Sequence, residues 1–161
     1  MPEPKQPKPV QGARIPLFER LTDLHPIEAT ETVPLRIYTL EQLADSVRRE
    51  VARLLNTRSL AKDRNGSVLD YGLPDFSWMS AASGDDRRLL ADTIARKIAA
   101  FEPRLTQVRV TLDRDPSDPR RLVGSINAIL LTETLREPVS FPLLMDAKKG
   151  LAEIAAGSHG R

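Results

Sequence analysis

Two stretches of the chain repeat apolar residues at spacings of three and four, and three later stretches repeat them at every second residue. The first helical stretch opens at Thr39, where Thr39 and Gln42 match a capping box. Leu40, Leu43, Val47, Val51 and Leu54 then form one stripe, and Asp45, Arg48, Arg49 and Arg53 fall largely off it. A second helix starts near Ser83, with Ser83 and Asp86 at the same capping spacing. Its stripe is Leu90, Ile94, Ile98 and Phe101, flanked by Ala91 and Ala95. Pro103 cannot continue a helix and disfavours a helical residue before it, so the spacing predicts an end at about Phe101.

The period then changes to two. Val108, Val110 and Leu112 alternate with Gln107, Arg109 and Thr111, as on a half-buried strand. Residues 113–121 hold Asp115-Pro116 and Asp118-Pro119, a polar hairpin tip, and 122–131 alternates again with Ile126, Ala128 and Leu130 on one face. Val139, Phe141 and Leu143 make a third strand, which Pro142 assigns to a sheet edge or a bulge because it lacks an N–H. The pattern predicts an α+β fold: two amphipathic helices on one face of a small, mainly antiparallel sheet of three to four strands.

The rest of the chain is less periodic. Residues 1–16 read as a disordered, basic, proline-rich arm, 17–145 as the folded domain, and 146–161 as a flexible tail. Ile15-Pro16-Leu17-Phe18-Glu19-Arg20-Leu21 is an apolar patch that docks on the chain's own core or on a partner. The connection over 56–84 carries Val68, Leu69, Tyr71, Leu73, Phe76 and Trp78, so it is expected to be ordered and packed over the core. Asn65-Gly66 and Gly72 mark turns in it, and Leu73, preceding Pro74, is biased toward an extended backbone.

Composition narrows the classes. A chain of 161 residues fits one domain. Its net charge of +2 comes from interspersed charges without a single-sign block, which argues against a nucleic-acid partner. There is no cysteine, which excludes thiol chemistry and cysteine-based zinc sites, and no apolar run approaches a membrane span. The expected location is the cytoplasm.

Chemistry is scarce. His25 and His159, the two histidines, lie in the leader and the tail and read as solvent-exposed; no phosphate loop, GxSxG elbow or HExxH is present, and no metal or cofactor is expected. Glycoside hydrolysis needs only two carboxylates, for which Glu102 with Asp75 or Glu133 could be nominated. Arg104, however, favours an ionised Glu102, whereas a general acid must hold its proton. Glu102-Pro103-Arg104 instead places two opposite charges at a rigid corner between helix and strand. Read as a surface ion pair, this corner is contact material whose removal leaves the fold intact but weakens assembly.

Several segments, in order, carry a family resemblance: Leu17-Phe18-Glu19-Arg20-Leu21, Leu54-Leu55-Asn56-Thr57-Arg58, Ser67-Val68-Leu69-Asp70-Tyr71-Gly72-Leu73-Pro74-Asp75, Phe101-Glu102-Pro103-Arg104-Leu105 and Glu137-Pro138-Val139-Ser140-Phe141. Together they resemble the TssE family of type VI secretion baseplate proteins, related to phage baseplate wedge proteins once described as lysozyme-like. The resemblance implies a non-enzymatic structural subunit that joins a wedge with TssF, TssG and TssK. It also implies a sheet similar to the handshake fold of the sheath proteins, able to template the first ring of TssB and TssC. Glu102, Pro103, Arg104, Tyr71, Gly72 and Pro74 are then the expected partner-binding residues. An anti-adaptor-like protein-binding module and a cell-wall glycoside hydrolase are the alternative readings.

Overall fold

Helix α1 runs Leu40–Leu55 and begins as its sequence requires. Gln42 N donates to Thr39 Oγ1 (3.2 Å) and Thr39 N donates to Gln42 Oε1 (2.9 Å), so two of the N–H groups that a helix start leaves unpaired are satisfied reciprocally. The computed structural model describes residues 13–14, 37–60, 68–132, 136–146 and 149–159, in two units, Met1–Leu43 and Ala44–Arg161. The apolar leader patch, Asn65-Gly66, His25 and Glu133 lie outside the described residues. In the first unit, β1 (Ala13–Arg14) pairs antiparallel with β2 (Ile37–Tyr38), so two residues assigned from sequence to a disordered arm form a ladder instead.

In the second unit, Val47, Val51, Leu54 and Leu55 of α1 are buried. A 3-10 turn at Val68–Asp70 precedes α2 (Gly84–Phe101), whose Leu90, Ala91, Ile94 and Ile98 are buried. Ser83 caps α2 by accepting from Asp86 N at 3.2 Å. The reciprocal half of that box is absent, because Asp86 Oδ2 accepts from Ser80 N and so ties down the preceding turn. Phe101 closes the helix, and Glu102 N still donates to Ile98 O (2.8 Å).

The sheet is antiparallel, in the order β3 (Leu105–Arg114), β4 (Arg121–Leu131), β5 (Arg136–Asp146), β6 (Leu151–Ile154), with β7 (Ser158–His159) also pairing with β5. One face is buried: Leu122, Ile126, Ala128 and Leu130 of β4, and Val139, Phe141, Leu143 and Met145 of β5. The β3–β4 tip is built by its aspartates, since Ser117 N donates to Asp115 Oδ1 and Arg120 N to Asp118 Oδ1. Gly124 allows the close approach of β3, because a Cβ there would lie 1.9 Å from Thr111 O. The register between β3 and β4 shifts by one residue between Thr106 and Arg109, where Gln107 has a φ of 53°. This is a β-bulge, with an extra residue in β3.

Two expectations are corrected. The segment expected to fray after residue 145 carries β6 and β7, and β5 is an interior strand rather than an edge. Pro142 is tolerated there because β6 pairs with Leu143–Asp146 and β7 with Val139 and Ser140, leaving Pro142 in the gap between them. Its carbonyl accepts from Ala155 N, so the missing N–H lies on this interrupted side and costs the β4 ladder nothing. The outer edge of β6 is occupied by α1. Asn56 Nδ2 donates to Ala152 O (2.8 Å), Asn56 Oδ1 accepts from Ala152 N (2.9 Å), and Arg48 Nη1 donates to Ile154 O (3.2 Å). A side-chain amide thus completes an edge that would otherwise template another strand.

Candidate functional site: a buried ion-pair corner

The end of α2, the turn into β3 and the middle of α1 converge on Glu102 and Arg104. Arg104 Nε donates to Glu102 Oε1 at 2.7 Å and Nη2 to Oε2 at 2.6 Å, a two-pronged pair that lysine could not reproduce. Arg104 N adds a third bond to Oε1 (3.1 Å), and Nη1 reaches Ser46 Oγ of α1 at 2.9 Å. The backbone completes the joint: Leu105 N donates to Glu102 O and Leu131 N to Arg104 O, which anchors the corner to the end of β4.

This geometry corrects the surface reading of the corner. Glu102 is only 3% exposed, and Ser46 is fully buried. The Arg104 side chain retains 23% of its exposure, and Pro103 faces solvent at the tip of the turn. Proline between the two charges lets the guanidinium fold back onto the carboxylate, and α1 covers the result. With both carboxylate oxygens held by Arg104, Glu102 is a member of a structural joint.

Tyr71 is brought to the same place. Its ring meets Phe101 edge-on, with centroids 5.4 Å apart and planes at 77°. Lys97 lies over the other partner of that pair, 5.8 Å from the Phe101 centroid, and its ammonium binds Asp70 Oδ1 at 2.5 Å, pinning the 3-10 turn to α2. Burial pushes the Tyr71 hydroxyl up from its ordinary pKa; Glu50 and Glu102 add to the shift and Arg53 opposes it. The buried Tyr71 hydroxyl has no hydrogen-bond partner among the described residues. Tyr71→Phe is therefore expected to leave stability within about 0.5 kcal/mol of wild type or to raise it, because it removes a desolvated group that gains nothing in return. Urea denaturation checks this, and a loss above about 1 kcal/mol would reveal a partner for the hydroxyl.

Gly72 and Pro74 lead away from the corner. Gly72 has φ +102°, and a Cβ there would sit 2.4 Å from Thr57 O. Only glycine lets the chain lie this close to the end of α1, where Leu73 N donates to Thr57 O and Ser59 N to Leu73 O. Leu73 is buried and Pro74 is exposed. The packing expected of the connecting segment is met by Leu73 but not by Trp78, which is 64% exposed with its indole N–H donated to Asp75 O (3.1 Å). Hydrogen bonds from Ser77 hold the Asp75 carboxyl below its ordinary pKa.

The structure thus gathers Glu102, Arg104 and Tyr71 around α1, whereas Pro74 opens onto a separate cleft. Ser46 is the member that sequence reasoning missed; a serine inside an apolar helical stripe was the available signal. Among the described residues no group of three or more His, Cys, Asp or Glu side chains could hold a metal, and no helix is long and apolar enough to cross a membrane.

The family model for baseplate wedge protein gp25 matches residues 41–134, which span α1 through β4 and include the corner. A solved structure described as the baseplate complex from the type VI secretion system is similar over 65% of this chain and 94% of that chain, at 20% identity and a TM-score of 0.49. No curated protein matches the sequence.

Proposed function

Because the chain belongs to the baseplate wedge protein gp25 family, we propose that it is a cytoplasmic, non-enzymatic structural subunit of a type VI secretion baseplate. In this reading it joins a wedge with TssF, TssG and TssK and offers its sheet to the first ring of the TssB–TssC sheath. The observation that carries it is the family match across the corner, together with a corner built as a joint and not as a reaction centre.

Two features of the sheet support the templating step. The β6 edge is occupied by Asn56 and Arg48, whereas β3 carries no further strand on its outer side among the described residues. An edge strand of ten residues, here with α2 packed against it, can accept a neighbour through main-chain hydrogen bonds wherever the helix leaves its edge open. In the wedge contact, Glu102 and Ser46 fix the frame, with Tyr71 packed behind it and the buried Gly72 holding the following segment against the end of α1, while Pro103 and the exposed part of Arg104 present the surface. Pro74, exposed beside the end of α1, would meet a partner at a second place.

Co-expression with tagged TssF and TssG tests the reading. The wild-type chain is expected to co-elute with both, and Pro103→Glu, which alters only the exposed tip of the corner, to co-elute at a substantially reduced yield with unchanged thermal melting. Absence of wild-type co-elution would remove the wedge assignment and favour the anti-adaptor alternative. Retention of Pro103→Glu would move the contact away from this corner.

A further inference from the structure

A cleft of about 170 Å³ opens between the end of α1, the 73–79 segment and the β5–β6 turn. Its floor is apolar: Leu55, Leu73, Leu90 and Met145 line it and are themselves buried. Enclosed apolar cavities of roughly 150 Å³ are large enough to take up benzene, so this one suits a single aromatic ring or branched aliphatic side chain. Two exposed apolar residues stand beside it, Leu151 on its wall and Trp78, whose indole is held in place by the backbone of the cleft residue Asp75.

The mouth carries an excess of positive charge. Arg58 and Lys149 line it together with the single carboxylate of Asp75. Asp75 is kept ionised by Ser77, and it meets Arg58 only at 3.5 Å with both side chains largely exposed, an attraction that an incoming carboxylate can readily replace. The Lys149 ammonium has no ionic partner among the described residues. An apolar anchor entering here would therefore meet a cationic rim, and binding is most favourable when carboxylates flank that anchor.

We infer that the cleft between Leu55, Leu73, Leu90 and Met145 docks an apolar anchor side chain of a partner polypeptide whose neighbouring residues are acidic. The inference is independent of the baseplate reading, since it rests on the cleft and its charges alone.

The test uses the full chain by itself, so its failure leaves the wedge assignment untouched. Random 12-residue peptides displayed on phage are selected against the protein, and the strongest is labelled for fluorescence anisotropy. The expected consensus is an aromatic or branched aliphatic residue next to Asp or Glu. Binding is expected to fall at least fivefold in Lys149→Glu and in Arg58→Glu, both exposed positions, and to weaken with added salt. The methyl resonances of Leu55, Leu73, Leu90 and Met145 are expected to shift as the peptide saturates. Failure to select any peptide, a basic consensus, binding indifferent to both rim variants, or unshifted methyl groups would each overturn the inference. So would a concentration-dependent dimer in sedimentation that Lys149→Glu abolishes, because the cleft would then belong to a second copy of the chain.

Discussion

Replacing Glu102 by alanine lowers the free energy of unfolding by about 3 kcal/mol, since it removes the carboxylate that pairs two prongs of a guanidinium drawn largely out of water by folding. The fall in melting midpoint is roughly 10 °C for a domain of this size. Glu102 is 3% exposed and supplies both oxygens of the two-pronged pair, so the cost exceeds that of an exposed ion pair, at most about 1 kcal/mol. Glu102→Gln, which preserves shape and one acceptor, falls between alanine and wild type. The double variant Glu102→Met, Arg104→Met recovers much of the loss, because it removes both charges and fills the space with apolar atoms. Urea denaturation of the four proteins provides the comparison. A change below 1 kcal/mol in Glu102→Ala would return the corner to the surface.

The second large effect lies one helical turn away. Ile98→Ala costs about 2–5 kcal/mol, and Leu54→Ala the same, with Ile98→Val at about 0.5–1.5 kcal/mol. Ile98 has no solvent exposure, and Leu54 is almost as deeply buried. Near-wild-type denaturation midpoints for both alanine variants would mean that neither side chain belongs to the core. Because Glu102 N donates to Ile98 O, the two sites share a segment of backbone. Their effects are expected to be non-additive when combined.

Both helices were legible because their signals are local. Thr39 with Gln42, and Ser83 with Asp86, lie within one turn of each other, and the apolar stripes repeat over several turns. The alternation in β4 and β5 was equally plain, since one face of the sheet is buried throughout. The burial of Glu102 was not legible, because charged residues are rarely buried unless paired, and the completing partner Ser46 is 58 residues away from Arg104. The place of Pro142 was equally hidden. Whether a proline interrupts a ladder depends on what lies opposite it, and β6 and β7 are too short to announce themselves. Trp78 shows the opposite error: a large apolar residue in a long connection reads as core, yet its fixed indole faces outward.

The bulge at Gln107 bears on how relatives of this chain should be aligned. Leu105 and Leu112 are both buried although seven residues apart, an odd separation that an uninterrupted strand would place on opposite faces. The extra residue reverses the parity of the strand between them. A single-residue gap in an alignment at this point is therefore not a neutral loop difference. Deleting Gln107 would force either the corner end or the hairpin end of β3 to turn its side chains over, so the length of this strand decides which residues face the core.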